Sequence, residues 1–203
     1  MSKIKVAFQG ELGAYSHIAV NEVFKNAEIK TCSTFEETFK VAFEDESYKI
    51  IIPLENSLAG RVADIHYLLP KYKLQIHGEH FQTVEHNLLA KPESEMKDIR
   101  FVRSHAQAIG QCQKIIMDNK YKTIVSADTA GSAKDLADGK DKSIAAIASK
   151  LSAEIYKLKI LKKNIEDEKG NVTRFLIMGK KVQQPEFEKE KKYITTCIFR
   201  LKS

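Results

Sequence analysis

An apolar run, a short loop holding Gly, Ser, Thr or Asn, and a stretch with helical periodicity recur in that order along this chain. The first copy reads IKVAFQG, ELGAYS and a helix from about His17 to Phe24. The second reads KIIIPLE, NSLAGR and VADIHYLL, with Pro70 expected to end the helix because proline lacks a backbone N–H. IRFVRS leads into HAQAIGQCQKIIMDN, read as one helix whose Ile109, Cys112, Ile115 and Ile116 share an apolar face. KTIVSADT leads into AGSAKDLAD, and SIAAIAS into KLSAEIYKL. Strands alternating with helices impose an α/β fold with mostly parallel sheets. In such sheets ligands bind beyond the carboxyl ends of the strands, where helix N-termini offer unpaired N–H groups to anions. Ser16, Asn56, Ser57, Ser104, Asp128 and Thr129 stand in those loops. Residues of these types also cap helices everywhere, and a cap and a ligand contact occupy the same place.

Two long segments break the repeat. KLQIHGEHFQTVEHNLLAKP is extended and rich in β-formers, and reads as a passage from one lobe to another. YKLKILKKNIEDEKGNVTRFLIMG reads as the return. Two passages imply two lobes and a cleft: residues 1–78 with 166–180 in lobe 1, and 79–165 in lobe 2. A linker over 181–192 and a lone strand over 193–203 follow. Thr173 and Arg174 then lie at the cleft, at the mouth of the apolar run Phe175 to Met178.

Composition removes several function classes. No stretch approaches the ~20 apolar residues of a membrane span, and no secretory signal opens the chain, so a cytoplasmic location is expected. Cys32, Cys112 and Cys197 are odd in number and lack metal-ligand spacing, and Cys112 reads as core. The formal charge is +6, but Lys180 to Ser203 alone carries seven Lys/Arg against three Glu. No aromatics interleave with basic residues, so nucleic acid is not expected as a partner. The glycines of GELGAYS do not make a dinucleotide fingerprint, and no phosphate-loop lysine follows.

Five motifs resemble, in order, those of the prephenate dehydratases: FQGELGAYSH, IPLENSLAGRV, SHAQAIGQC, AAIASKLSAEIYKL and NVTRFLIM. They span about residues 4 to 178. The resemblance implies a two-lobed domain of the periplasmic-binding-protein type (type 2). It implies conversion of prephenate to phenylpyruvate, water and carbon dioxide, on the route to phenylalanine, without cofactor or metal. Arogenate dehydration, prephenate decarboxylation without loss of the hydroxyl, and a module that only binds a small anion are the alternatives. A homodimer is implied as well. The segment KKYITTCIFRLKS resembles the first strand of an ACT-type regulatory domain that the chain does not complete, so inhibition by phenylalanine through such a domain is not expected.

Carried onto this sequence, the resemblance makes Thr173, Arg174 and Phe175 the catalytic signature. Thr173 stands at the leaving hydroxyl as a hydrogen-bonding group, because an alcohol releases its proton reluctantly. Strand alternation puts Arg174 opposite Thr173. It either grips a carboxylate or braces the crossover through Glu55 or Asp167. Phe175 either lines the pocket or is core. Asn56, Ser57, Ser104 and Gln111 become polar contacts to substrate, Thr129 part of a carboxylate cradle, and Ser16 and His17 part of the opening turn. His17 and His105 are candidate proton donors, or structural histidines that fix their loops. Ala106 replaces a proline frequent in the family. Ala127 and Asp128 precede Thr129 where many members have Ser or Glu, and Asp128 is expected to cap its helix and point away from a dianion.

Overall fold

The computed structural model describes residues 3–181 and 188–192. The expected lone strand, half of the linker and Cys197 lie outside them. In chain order the elements are β1 (Lys5–Gln9), α1 (Tyr15–Val23), β2 (Glu28–Cys32), α2 (Phe35–Glu44), β3 (Tyr48–Asn56), β4 (Gly60–Arg61), α3 (Ala63–Tyr72) and β5 (Gln75–Thr83). Then come β6 (Asn87–Ala90), β7 (Phe101–His105), α4 (Ala106–Gly110), α5 (Gln113–Asp118), β8 (Lys122–Ser126), α6 (Thr129–Asp138), β9 (Ile144–Ala148), α7 (Lys150–Ile155), β10 (Lys159–Lys162) and β11 (Val172–Gly179).

They build two sheets. One has the order β2-β1-β3-β11-β5, with β4 paired to β3, and the other β10-β6-β9-β7-β8. Each sheet is covered on both faces. In the first, α2 and α3 bury Phe39, Ala42, Ile65 and Leu68 against one face, and α1 buries Ala19 and Val20 against the other. In the second, α4 and α5 cover one face, and α6 and α7 the other. Burial on both faces is why Ile50, Ile51 and Ile52 run consecutively in β3 instead of alternating with polar residues.

Three expectations change here. The sheets are mixed. The ladders β1–β2, β1–β3, β7–β8 and β7–β9 are parallel, while β11 runs antiparallel to β3 and β5, and β6 to β9 and β10. Strands separated by a helix come out parallel, whereas a strand that ends a passage between lobes enters from the other end. The lobe boundary expected at residues 78/79 falls inside β5, and the sheets change over residues 84–86. Pro70 does not end α3, which runs on to Tyr72 and closes at Lys73 in the left-handed conformation. A proline in the last turn removes one intrahelical bond, and the helix needs few more.

Pro53 shapes the cleft. It has no N–H for the ladder, and the β3–β11 register shifts beside it: Arg174 faces Glu55, while Phe175 faces Pro53. Leu54 is therefore the extra residue of a bulge, which re-aims the side chains that follow. Across the cleft the loop after β1 is clamped to α7. The Gly13 carbonyl accepts from Ser149 Oγ at 2.6 Å and from Ser152 Oγ at 3.0 Å, and the Leu12 carbonyl accepts from Tyr156 at 2.9 Å. Gly13 has φ +91°, and a Cβ there would lie 2.5 Å from Ser152 Oγ, so only glycine fits this clamp.

Phe175 is 1% exposed and packs with Val6, Phe8, Val20 and Ile51. Phe175→Ala is expected to lower stability by about 3–5 kcal/mol, read as a fall in the urea midpoint. A midpoint close to that of the parent would refute the core assignment.

Candidate functional site

A cavity of about 530 Å³ opens between the lobes. Its wall takes Asn56, Arg61, Asn171 and Thr173 from the first sheet and its loops, and His86, His105, Gln111, Asp128 and Thr129 from the second sheet and the passages. Tyr15 at the start of α1 joins them.

The bulge at Leu54 leaves Asn56 directly opposite Thr173. The Asn56 Oδ1 accepts from the backbone N–H groups of Leu58 at 3.0 Å and Ala59 at 2.9 Å. Its amide nitrogen must therefore face the other way, and it donates to Thr173 Oγ1 at 2.9 Å and Asn171 Oδ1 at 2.6 Å. Asn171 then donates through Nδ2 to Gln111 Oε1 at 2.9 Å, and the same oxygen lies 2.9 Å from His86 Nε2. An oxygen can only accept, so His86 carries a proton on Nε2. The ring ends at Tyr15, whose hydroxyl is 3.0 Å from Nδ1 and 2.7 Å from the Glu85 carbonyl. A single directional chain thus runs from Thr173 in the first lobe to His86 at the second, and returns to the first at Tyr15 of α1.

Gln111 reaches this chain because the helix expected over the segment from His105 to Asn119 is broken. It becomes α4 and α5, with Gln111 and Cys112 at the junction. Asp167 stabilises the break. Its N–H donates to the Gln111 carbonyl at 2.7 Å, and its carboxylate accepts from the N–H groups of Gln113 and Lys114 at the start of α5. A carboxylate at a helix N-terminus is favourable. Asp167 is therefore a cap and not the partner of Arg174.

Arg174 points to the opposite face from Thr173, as alternation requires. It pairs with Glu55 at 3.0 Å and Glu79 at 2.7 Å, and its guanidinium lies 5.9 Å from the Phe81 ring centroid. It ties β11 to both neighbouring strands and does not line the cavity. Phe175, Ser16, Ser57 and Ser104 do not line it either. Ser104 is fully buried and donates to the Ile147 carbonyl at 2.7 Å. Ser57 accepts from the Val172 N–H at 3.0 Å and so holds the return passage. Ser16 is buried in α1.

Thr129, the first residue of α6, does line the cavity, so the helix N-terminus faces it. Asp128 caps that helix through the Gly131 N–H at 2.6 Å, as expected, yet it also stands on the wall. His17 Nδ1 accepts from the Gly13 N–H at 3.0 Å and the ring stacks on Phe8. Burial lowers its pKa, and it fixes its loop away from the cavity. His105 lines the cavity while its Nδ1 accepts from the Gln107 N–H at 3.3 Å. Cys112 is core, its thiol pushed up by burial and the nearby Asp167 and Glu166. Among the described residues no three His, Cys, Asp or Glu side chains come together to hold a metal ion, and no helix is long and apolar enough to cross a membrane.

Sequence reasoning missed Tyr15, Arg61, His86 and Asn171 as site residues. Arg61, Tyr15 and Asn171 sit inside quoted motifs, but His86 lies in a passage read only as a connector.

The family model "Prephenate dehydratase" matches residues 6–183. A bifunctional N-acyl-homoserine lactone acylase/prephenate dehydratase of Komagataeibacter europaeus is 41% identical over 176 residues, covering 87% of this chain and 63% of that protein. The chloroplastic arogenate dehydratase/prephenate dehydratase 1 of Arabidopsis thaliana is 36% identical over 200 residues, covering 98% and 50% respectively. The chain thus spans between half and two thirds of the length of these relatives. The crystal structure of a prephenate dehydratase from Arthrobacter aurescens, in complex with L-Phe, superposes with TM-score 0.82 at 25% identity, over 91% of this chain and 63% of that one.

Asn171 is 2% exposed, and its loss takes one hydrogen bond from each of two half-buried partners, Asn56 and Gln111. Asn171→Ala is expected to cost about 1–3 kcal/mol in urea unfolding. A change within error would mean that the chain from Asn56 to Gln111 does not exist in solution.

Proposed function

The chain belongs to the prephenate dehydratase family, and on that premise we propose that it dehydrates and decarboxylates prephenate to phenylpyruvate. One observation carries this reading. Thr173 Oγ1 accepts the Asn56 amide N–H, and among the described residues its own O–H has no protein acceptor. That hydroxyl is left to donate into the cavity.

Prephenate carries two carboxylates and a ring hydroxyl. Its reaction breaks the bond to that hydroxyl and the bond to the ring carboxylate together, and the electrons released complete the aromatic ring. The barrier lies in expelling hydroxide. A donor fixed at the departing oxygen lowers it, because charge grows there only as the bond breaks. Thr173 is such a donor, aimed by Asn56. The carboxylates find Arg61 and the N-terminus of α6 on the same wall. Arg174, held between two glutamates, acts at one remove by keeping β11 in register. The reading includes a cytoplasmic homodimer that needs neither metal nor cofactor.

Arogenate is the second reading, favoured by Asp128: its carboxylate on the wall suits a substrate with an amine in place of the keto group. An acylase activity finds no such support. A hydroxyl nucleophile needs a base beside it, and the partner of Thr173 is an amide that donates.

Thr173→Ala is expected to lower kcat on prephenate by about 10²- to 10³-fold with KM nearly unchanged, and Thr173→Ser to restore much of it. Steady-state assays with prephenate and arogenate in parallel test this. Near-parental turnover by Thr173→Ala would sink the assignment, and a higher kcat/KM on arogenate would favour the second reading.

A further inference from the structure

Charge on the cavity wall does not balance a dicarboxylate. Among the described residues Arg61 and Asp128 are its formally charged side chains, and they cancel. Two histidines stand on the same wall, and their hydrogen bonds differ. His105 spends Nδ1 on the Gln107 N–H, so a proton added there breaks the cap of α4. His86 is the reverse case. With Nε2–H locked onto Gln111, a neutral ring offers Nδ1 only as an acceptor. The Tyr15 hydroxyl has one proton for two acceptors, Nδ1 at 3.0 Å and the Glu85 carbonyl at 2.7 Å. One of them goes without. Adding a proton at Nδ1 resolves this: Nδ1–H donates to the Tyr15 oxygen, the Tyr15 O–H donates to Glu85, and Nε2–H still donates to Gln111.

We propose that His86 takes up a proton at Nδ1 when a dicarboxylate enters the cleft, and that this imidazolium supplies the positive charge that the wall otherwise lacks. The inference rests on the dehydratase reading for its ligand. His86 is a positioning residue here. Both ring nitrogens stay bound to protein, and its charge acts through the low-dielectric wall.

The surroundings set the ring between its two states. Burial lowers the His86 pKa, while the bond to Gln111 and the Glu166 carboxylate raise it. Glu166 Oε2 also accepts from the His86 backbone N–H at 2.9 Å. The other titratable groups around the Tyr15–His86 pair are Glu85 and Cys112. Burial, with Cys112, Glu166 and Glu85, pushes the Tyr15 phenol up, so it stays protonated. A free ring lowered by burial is neutral at neutral pH, and a bound dianion raises it. Binding then takes up a proton between the two pKa values, and affinity falls about tenfold per pH unit as pH rises through that window.

Calorimetry of the Thr173→Ala chain with prephenate, in phosphate and in Tris at one neutral pH, measures the protons taken up. Close to one proton is expected, falling towards zero when His86→Gln or the isosteric Tyr15→Phe is added. No uptake before that change, or undiminished uptake in both variants, overturns the inference. If prephenate gives no binding heat at any pH, the dehydratase reading fails, and imidazole NMR of the parent chain decides the matter for His86. An Nε2–H tautomer in the neutral ring, moving to imidazolium as malonate is added, supports the assignment. An Nδ1–H tautomer, or a ring indifferent to malonate, overturns it.

Discussion

The cleft depends on two backbone N–H groups, those of Leu58 and Ala59, that hold the carboxamide oxygen of Asn56. An amide has one accepting end and one donating end. Once the first is fixed by backbone, every later partner has its role assigned in turn: Asn171 accepts and then donates, Gln111 accepts, His86 donates. Side-chain amides commonly choose their orientation from their neighbours. Here the choice is made at one end and passed along. The Thr173 hydroxyl is left free to donate because the chain begins by giving it a donor.

That chain also joins the lobes. Asn56, Asn171 and Thr173 belong to the first, and Gln111 and His86 to the second. The clamp of the Gly13 loop on α7 closes the same cleft from another side. Both sets of bonds are short-range and directional, so they exist only at one relative placement of the sheets. The donors on the wall are therefore aimed as described only in that placement.

Thr173 and Arg174 are neighbours that do different work. Alternation along β11 sends the hydroxyl to the cavity and the guanidinium to the other face, where Glu55 and Glu79 hold it. The alternation was legible in the sequence, and so was the choice it posed for Arg174. The choice itself turned on Glu79, which lies on a strand whose position beside β11 no local pattern announces. Ser57 and Ser104 were legible as loop hydroxyls but not as braces, since Val172 and Ile147 meet them only after folding. Pro70 and the helix break at Gln111 misled for a related reason. Propensity and periodicity describe an isolated helix, whereas Asp167, more than fifty residues away in the chain, caps the second half.

By itself the sequence determined the α/β alternation, the two passages that make two lobes, and the placing of Asn56, Thr129 and Thr173 near one cleft. Those follow from hydrophobic period, chain connectivity and the chemistry of residues at strand ends. Only the tertiary structure decided that His86, Asn171 and Tyr15 belong to the same network, which hydroxyls face the cavity, and which nitrogen of His86 carries its proton. Those outcomes depend on donor and acceptor directions between residues far apart in the chain. A sequence states which groups are present, and packing alone states which way each one points.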